Sequence, residues 1–134
     1  MIGIVVITHG GFSQELVKTS ELIIGKQEKV AVYGLNHGDD VGELLKKVGD
    51  AIQEMDDGSG VLVLTDLFGG SPSNVTAANM KRYKFESITG VNLPMLIEAL
   101  NSRECCELSE LVNLCIDAGI NGIKNLRTMI LEKV

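Results

Sequence analysis

The sequence contains no apolar run approaching the roughly 20 residues needed to cross a bilayer. Its opening, Met1-Ile2-Gly3-Ile4, lacks the basic segment that begins a secretory signal. Both absences argue against insertion or export and lead to the expectation of a cytoplasmic protein. Basic residues are outnumbered, with 12 Lys and Arg against 18 Asp and Glu and a net charge of −6. No basic run is available to neutralise a phosphate backbone, so nucleic acid is not an expected partner. Cys105, Cys106 and Cys115 are odd in number and form no C-x-x-C, which points to reduced, partly buried thiols rather than a metal or redox centre. A Gly-x-x-x-x-Gly-Lys-Ser/Thr nucleotide loop is missing too, and no metal constellation is visible, so neither a metal nor another cofactor is expected.

What is present reads as one domain over residues 1–134. With 134 residues, 45% of them hydrophobic, the chain can bury a core without covalent staples. Strand-like and helix-like stretches alternate throughout. Ile2 to Ile7 is a β-branched run, and Ser13 is a candidate cap for a helix ending at Gly25. Lys29 to Leu35 reads as a second strand, and Asp40 precedes an amphipathic helix carrying Leu44, Leu45, Val48, Ile52 and Met55. Val61 to Thr65 is uniformly apolar, as expected of a central strand covered on both faces. Ser71 and Pro72 suit the cap and first position of a third helix extending towards Arg82. Phe85 to Thr89 reads as a fourth strand, and Asn92-Leu93-Pro94 opens a fourth helix. The order βαβαβαβα predicts a doubly wound, mainly parallel open sheet with helices on both faces. Beyond it, Ser109 is a candidate cap for a fifth helix, and Leu126 to Val134 fits either a frayed helix or an edge strand.

Two strand ends carry the chemistry. The first run ends in Thr8-His9-Gly10-Gly11, and the Val61 run ends in Asp66, followed by Gly69-Gly70-Ser71-Pro72-Ser73-Asn74. If the two strands are neighbours, His9 and Asp66 project from the carboxyl edge of the sheet, where open α/β folds bind ligands. A neutral imidazole attacks a phosphoryl group only when one ring nitrogen holds the proton and the other keeps its lone pair. Asp66 can fix that tautomer, while amides of Gly10 and Gly11 and the Ser71 and Ser73 segment can meet phosphoryl oxygens. Taken singly, each feature has a plainer reading as a loop histidine, a turn or a helix start. Together they would have to meet on one sheet edge by chance. His37, in Asn36-His37-Gly38-Asp39, ranks below His9 because its acidic neighbours would repel phosphate. Phe12 and Phe68 admit both core and docking-surface readings.

The segments Thr8 to Ser13, Leu64 to Asn74 and Gly90 to Leu96 resemble the signature segments of the mannose-family IIA component of the bacterial phosphoenolpyruvate-dependent sugar phosphotransferase system. The resemblance runs through almost the whole chain. It implies that His9 accepts a phosphoryl group from the phosphocarrier HPr and hands it to a IIB component, serving membrane IIC and IID components indirectly. It implies that Asp66 orients the histidine and that the Ser71 and Ser73 segment contacts phosphate. It also implies homodimers in which a C-terminal antiparallel strand is exchanged across the sheet edge, for which Leu126 to Val134 is the available segment. Some relatives continue into a IIB domain, so a separate IIA subunit is expected here. Without a nucleotide loop, phosphate is expected to arrive from another protein.

Three rival readings differ in what they require. Histidine phosphatases and phosphomutases expect an arginine just before the histidine, where this chain has Thr8. A flavodoxin-like module would bind a phosphorylated small molecule at the same edge without turnover. The phosphotransfer subunit of dihydroxyacetone kinase shares the fold and histidine, but Phe68-Gly69-Gly70-Ser71-Pro72 looks more like the sugar-transport branch.

Overall fold

In the computed structural model, which describes residues 1–131, the elements run β1 (Gly3–His9), α1 (Phe12–Ile24), β2 (Val30–Leu35), α2 (Val41–Met55), β3 (Val61–Thr65), α3 (Gly70–Asn79), β4 (Glu86–Thr89), α4 (Leu93–Ser102), α5 (Leu108–Asn121) and α6 (Leu126–Leu131). The four strands form one parallel sheet in the order β2-β1-β3-β4. This is the doubly wound arrangement expected from the alternation. Strand order reverses between β1 and β3, which opens a crevice at their carboxyl ends.

The apolar runs explain the layering. Ile4 and Val6 of β1 and Leu62 and Leu64 of β3 pack with Leu16 of α1, Leu96 of α4 and Leu111 of α5. The alternate residues Val5, Ile7, Val61 and Val63 pack with Leu44, Val48 and Ile52 of α2 and Val75 of α3. Strands buried on both faces need apolar residues at every position, as both runs have. The parity continues past Ile7, so His9 lies on the α2/α3 face. Cys115 is buried in the first cluster and its thiol is pushed up to about 12, mainly by burial. All three cysteines are free.

Several expected caps prove to be wrong. Ser13 lies inside α1, and its amide is met instead by Thr8 Oγ1 at 2.8 Å. Ser71 lies inside α3, whose N-cap is Gly69 and which ends at Asn79, short of Arg82. Ser109 lies inside α5, one residue after its start at Leu108. In the first two cases glycines take the N-cap position, because it lies in a turn that the tight approach to the sheet edge dictates. Asp40 and Asn92 do cap α2 and α4, accepting from Gly42 and Met95 at 2.8 and 3.0 Å.

The C-terminal segment departs from the edge-strand reading. Leu126–Leu131 is a helix with no buried residue, and no exchanged strand is seen; residues 132–134 of the expected segment lie outside the described residues. The segment satisfies its backbone locally, with the amides of Met129 and Thr128 donating to Asn125 O and Oδ1, both at 3.1 Å. No described helix is long and apolar enough to cross a membrane.

Arg103 closes the amino edge of the sheet. It is 3% exposed at the end of α4, and its guanidinium donates to the carbonyls of Ile2 (3.3 Å), Lys29 (3.0 Å) and Glu28 and to Gln27 Oε1 (3.3 Å). One side chain thereby holds the entries of β1 and β2. Removing it would strand buried carbonyls, so Arg103→Leu is expected to lower the unfolding free energy by about 3 kcal/mol in urea titrations. Arg103→Lys, lacking the planar fork, is expected to recover only part of that loss.

Candidate functional site

The register places the two strand ends together. Ile7 lies opposite Thr65 in the last pair of the β1–β3 ladder, so Asp66 emerges beside His9. Asp66 Oδ2 accepts from the His9 backbone amide at 2.9 Å and lies 2.8 Å from the His9 ring nitrogen Nδ1. Its other oxygen accepts from the amide of Leu67 at 3.0 Å. The carboxylate is therefore held at both oxygens, with 11% of its side chain exposed, whereas 49% of the His9 side chain is open to solvent.

Electrostatics decide the histidine's tautomer. Burial raises the Asp66 carboxyl pKa, but hydrogen bonds from the His9 amide and ring and attraction to the ring outweigh it, leaving it below its ordinary value of 3.8. An ionised carboxylate can only accept. The proton between the two groups therefore resides on Nδ1 and, in the neutral ring, the lone pair resides on Nε2.

The start of α3 flanks that nitrogen. Gly70, the first residue of α3, approaches the ring so closely that a Cβ on it would lie 3.2 Å from Cε1 and 3.3 Å from Nε2. α3 has no N-cap side-chain hydrogen bond, in contrast to α2 and α4, whereas the Ser13 amide in the first turn of α1 is already met by Thr8 Oγ1. The first amides of a helix have no intrahelical partner. In α3 these belong to Gly70, Ser71 and Ser73, since Pro72 has no N–H. Ser71 and Ser73 are half-buried in the first turns of α3, and among the described residues neither hydroxyl bonds another protein group. An uncapped helix end beside a nucleophilic nitrogen is a place for an anion.

The glycines after His9 divide their roles. Gly10 adopts φ +56°, and its amide donates to Leu35 O at 2.9 Å, so this amide extends the ladder rather than facing the crevice. Gly34 is a residue that sequence reasoning missed: a Cβ there would come within 2.0 Å of the Gly10 carbonyl. The available signal was an isolated glycine in a strand, which marks close backbone approach. Gly70 likewise carries no signal of its own in the sequence beyond its place in a glycine-rich loop.

His37 lies in the exposed turn after β2, where the Asn36 amide donates to Asp39 Oδ2 at 2.8 Å. It takes no part in the His9–Asp66 pair. Phe12 and Phe68 are 47% and 86% exposed, and with Leu67 at 50% they form an apolar rim contributed by the segments flanking His9 and Asp66. Of the two readings open for these aromatics, exposure excludes the core. Among the described residues no group of three or more His, Cys, Asp and Glu is placed to hold a metal ion.

Comparison with known proteins gives a consistent result. Residues 3–116 match the EIIA-man family, described as the PTS system fructose IIA component. The PTS system mannose-specific EIIAB component of Escherichia coli (strain K12) is 37% identical over 134 residues, covering 98% of this chain and 42% of that protein. The chain thus spans less than half the length of that relative. The PTS system fructose-specific EIIA component of Bacillus subtilis (strain 168) is 32% identical over 84% of this chain and 78% of its own. The crystal structure of phosphotransferase system component EIIA from Streptococcus agalactiae superposes with a TM-score of 0.88 at 33% identity, covering 96% of this chain and 99% of that one.

The lowered Asp66 pKa has a pH signature. A carboxyl that is more acidic in the folded state stabilises the fold above its unfolded value and loses that contribution as pH falls through the folded value. The melting-temperature gap between wild type and Asp66→Asn is therefore expected to be widest above about pH 4 and to close on further acidification. Calorimetry across that range measures it, and a gap independent of pH would contradict the assignment.

Proposed function

The chain belongs to the EIIA-man family of phosphotransferase-system components, and on that premise we propose that it is a phosphoryl carrier. His9 accepts a phosphoryl group from phospho-HPr and passes it to a histidine of a IIB component in sugar uptake. The observation that carries this reading is the 2.8 Å contact between His9 Nδ1 and Asp66, which leaves the Nε2 lone pair on a half-exposed ring beside the start of α3.

In acceptance, the Nε2 lone pair attacks phosphorus as the P–N bond to the donor imidazole breaks. The donor ring, protonated on its other nitrogen, leaves as neutral imidazole with that bond's electron pair. His9 becomes a phosphorylated cation that keeps its Nδ1 proton against Asp66. Transfer to IIB is the same step run outward. The phosphoryl oxygens are met by the amides of Gly11, Gly70, Ser71 and Ser73 and by the two serine hydroxyls, while Gly10 shapes the turn. Each helix end supplies about 0.3–1 kcal/mol. Phe12, Leu67 and Phe68 provide apolar contact for the carrier that docks over His9. The unit acting in this way is one IIA-type domain working in the cytoplasm.

Homodimerisation forms part of the proposal. β4 is an outer strand whose free edge adjoins a groove lined by Thr89, Met95, Ile116, Ile120 and Ile123. Nearby exposed apolar residues continue into Leu126, Ile130 and Leu131. A six-residue helix with nothing buried is weakly held, so this segment is free to dress the β4 edge of a second copy.

Two measurements test these statements. Intact mass after incubation with phosphoenolpyruvate, enzyme I and HPr is expected to show one acid-labile phosphoryl adduct, retained in His37→Ala and lost in His9→Ala. Absence of an adduct on folded wild type would favour a phosphate-binding module instead. Sedimentation is expected to give a dimer that dissociates when residues 126–134 are removed, and a monomeric wild type would refute the association.

A further inference from the structure

We infer that Gly70 is a positioning residue whose missing side chain sets the plane of the His9 ring and keeps Nε2 open. The inference rests on the reading that His9 is the phosphoryl acceptor, and it names a residue for which loop composition alone supplied no separate role.

The ring is held from opposite ends. Asp66 binds Nδ1 at 2.8 Å, and the backbone of Gly70 covers the Cε1–Nε2 edge. A methyl group on Gly70 would sit 3.2 Å from Cε1 and 3.3 Å from Nε2, tighter than nine in ten Cβ contacts, so something must give. If the ring yields, it tilts away from Asp66 and the Nδ1 contact lengthens. If the ring holds, the methyl group stands beside the nitrogen that must meet phosphorus. Either outcome disturbs attack geometry: the neighbour must give by a few tenths of an ångström, a fraction of the roughly 1 Å displacement that can cost on the order of a hundredfold in rate.

The neighbouring glycine provides an internal control. Gly69 and Gly70 both adopt the left-handed region, at φ +86° and +79°. A side chain strains the backbone at either position. A Cβ at Gly69, however, would meet nothing within 4 Å. The same substitution thus strains the backbone at both positions, at Gly69 in the φ +86°, ψ 176° region that glycine alone occupies readily, and only at Gly70 does the added methyl touch the ring.

The test compares wild type, Gly69→Ala and Gly70→Ala, first by thermal melting and then by rate of phosphorylation. Two donors are used: phospho-HPr and phosphoramidate, whose P–N bond breaks to release ammonia as Nε2–P forms, with no carrier protein involved. Gly70→Ala is expected to slow at least about tenfold relative to Gly69→Ala with both donors. Nitrogen NMR of the unphosphorylated His9 ring is expected to move in Gly70→Ala and to stay in place in Gly69→Ala. Gly70→Asn, which tolerates positive φ better, covers the case in which Gly70→Ala fails to fold and is expected to slow transfer further. Equal rates for the two alanine variants, unchanged ring signals in Gly70→Ala, or wild-type rates for Gly70→Asn would overturn the inference. If wild type takes phosphate from neither donor, the carrier reading itself fails, while the ring signals still report on Gly70.

Discussion

The pairing of β1 with β3 in a single register is the constraint on which the rest of this structure depends. With Gly3 opposite Val61 and Ile7 opposite Thr65, the residues just beyond the ladder bring Asp66 to the amide and ring of His9. A one-residue slip would send His9 to the opposite face, away from α3. Apolar burial cannot by itself forbid that slip, because both strands are apolar on both faces. Small residues fix β1 against its surroundings instead. A Cβ at Gly3 of β1 would meet the Cβ of Met55 in α2 at 2.9 Å, and one at Gly34 of the neighbouring β2 would meet the Gly10 carbonyl, just past β1, at 2.0 Å. Sliding β1 would drive Ile2 or Ile4 into the first contact, and sliding β2 would drive Tyr33 or Leu35 into the second.

The two edges of the sheet are built to different ends. At the amino edge polar groups are matched: Arg103 spans backbone carbonyls, and Lys29 bridges Met1 O at 2.6 Å and Asp57 at 2.7 Å. At the carboxyl edge some are left over beside His9. Helix α3 begins without an N-cap side-chain bond, and Thr65 Oγ1, one residue before Asp66, is buried without a partner among the described residues. An unsatisfied hydroxyl of this kind costs about 1–3 kcal/mol. Such losses are tolerable only because the opposite edge and the two-sided core hold the strands independently of the site.

Much of this was legible in the sequence because it depends on local pattern. The Ile2–Ile7 and Val61–Thr65 runs, the Asp40 and Asn92 caps and the His9 and Asp66 strand ends are all written within a few residues of where they act. Ser13, Ser71 and Ser109 misled because a cap depends on the turn preceding it, and in α1 and α3 a glycine occupies that turn. Gly34, Gly70 and Arg103 were illegible for a different reason. Their partners are Gly10, His9 and the entries of β1 and β2, distant in sequence and joined only by topology. A helix over Leu126–Leu131 could not be separated from a strand, since six residues without a buried face satisfy neither period decisively.

In the proposed transfer, a carrier must hold phosphate without keeping it. Each 1.4 kcal/mol of extra stabilisation would make the phosphorylated form about tenfold harder to discharge. An arginine clamp, with bidentate charged bonds, would stabilise the phosphoryl group by several times what a helix end supplies. Among the described residues no Lys or Arg side chain bonds at the His9–Asp66 pair, and Arg103 is committed to the far edge. The electropositive groups left at the site are backbone dipoles, which are weak and fixed. Asp66 adds the opposing pull, since it stabilises the ring cation while repelling the dianion on the other nitrogen. On the proposed reading, a modest attraction set against one repulsion would keep acceptance and donation close in free energy, which is the condition a relay between two other histidines imposes.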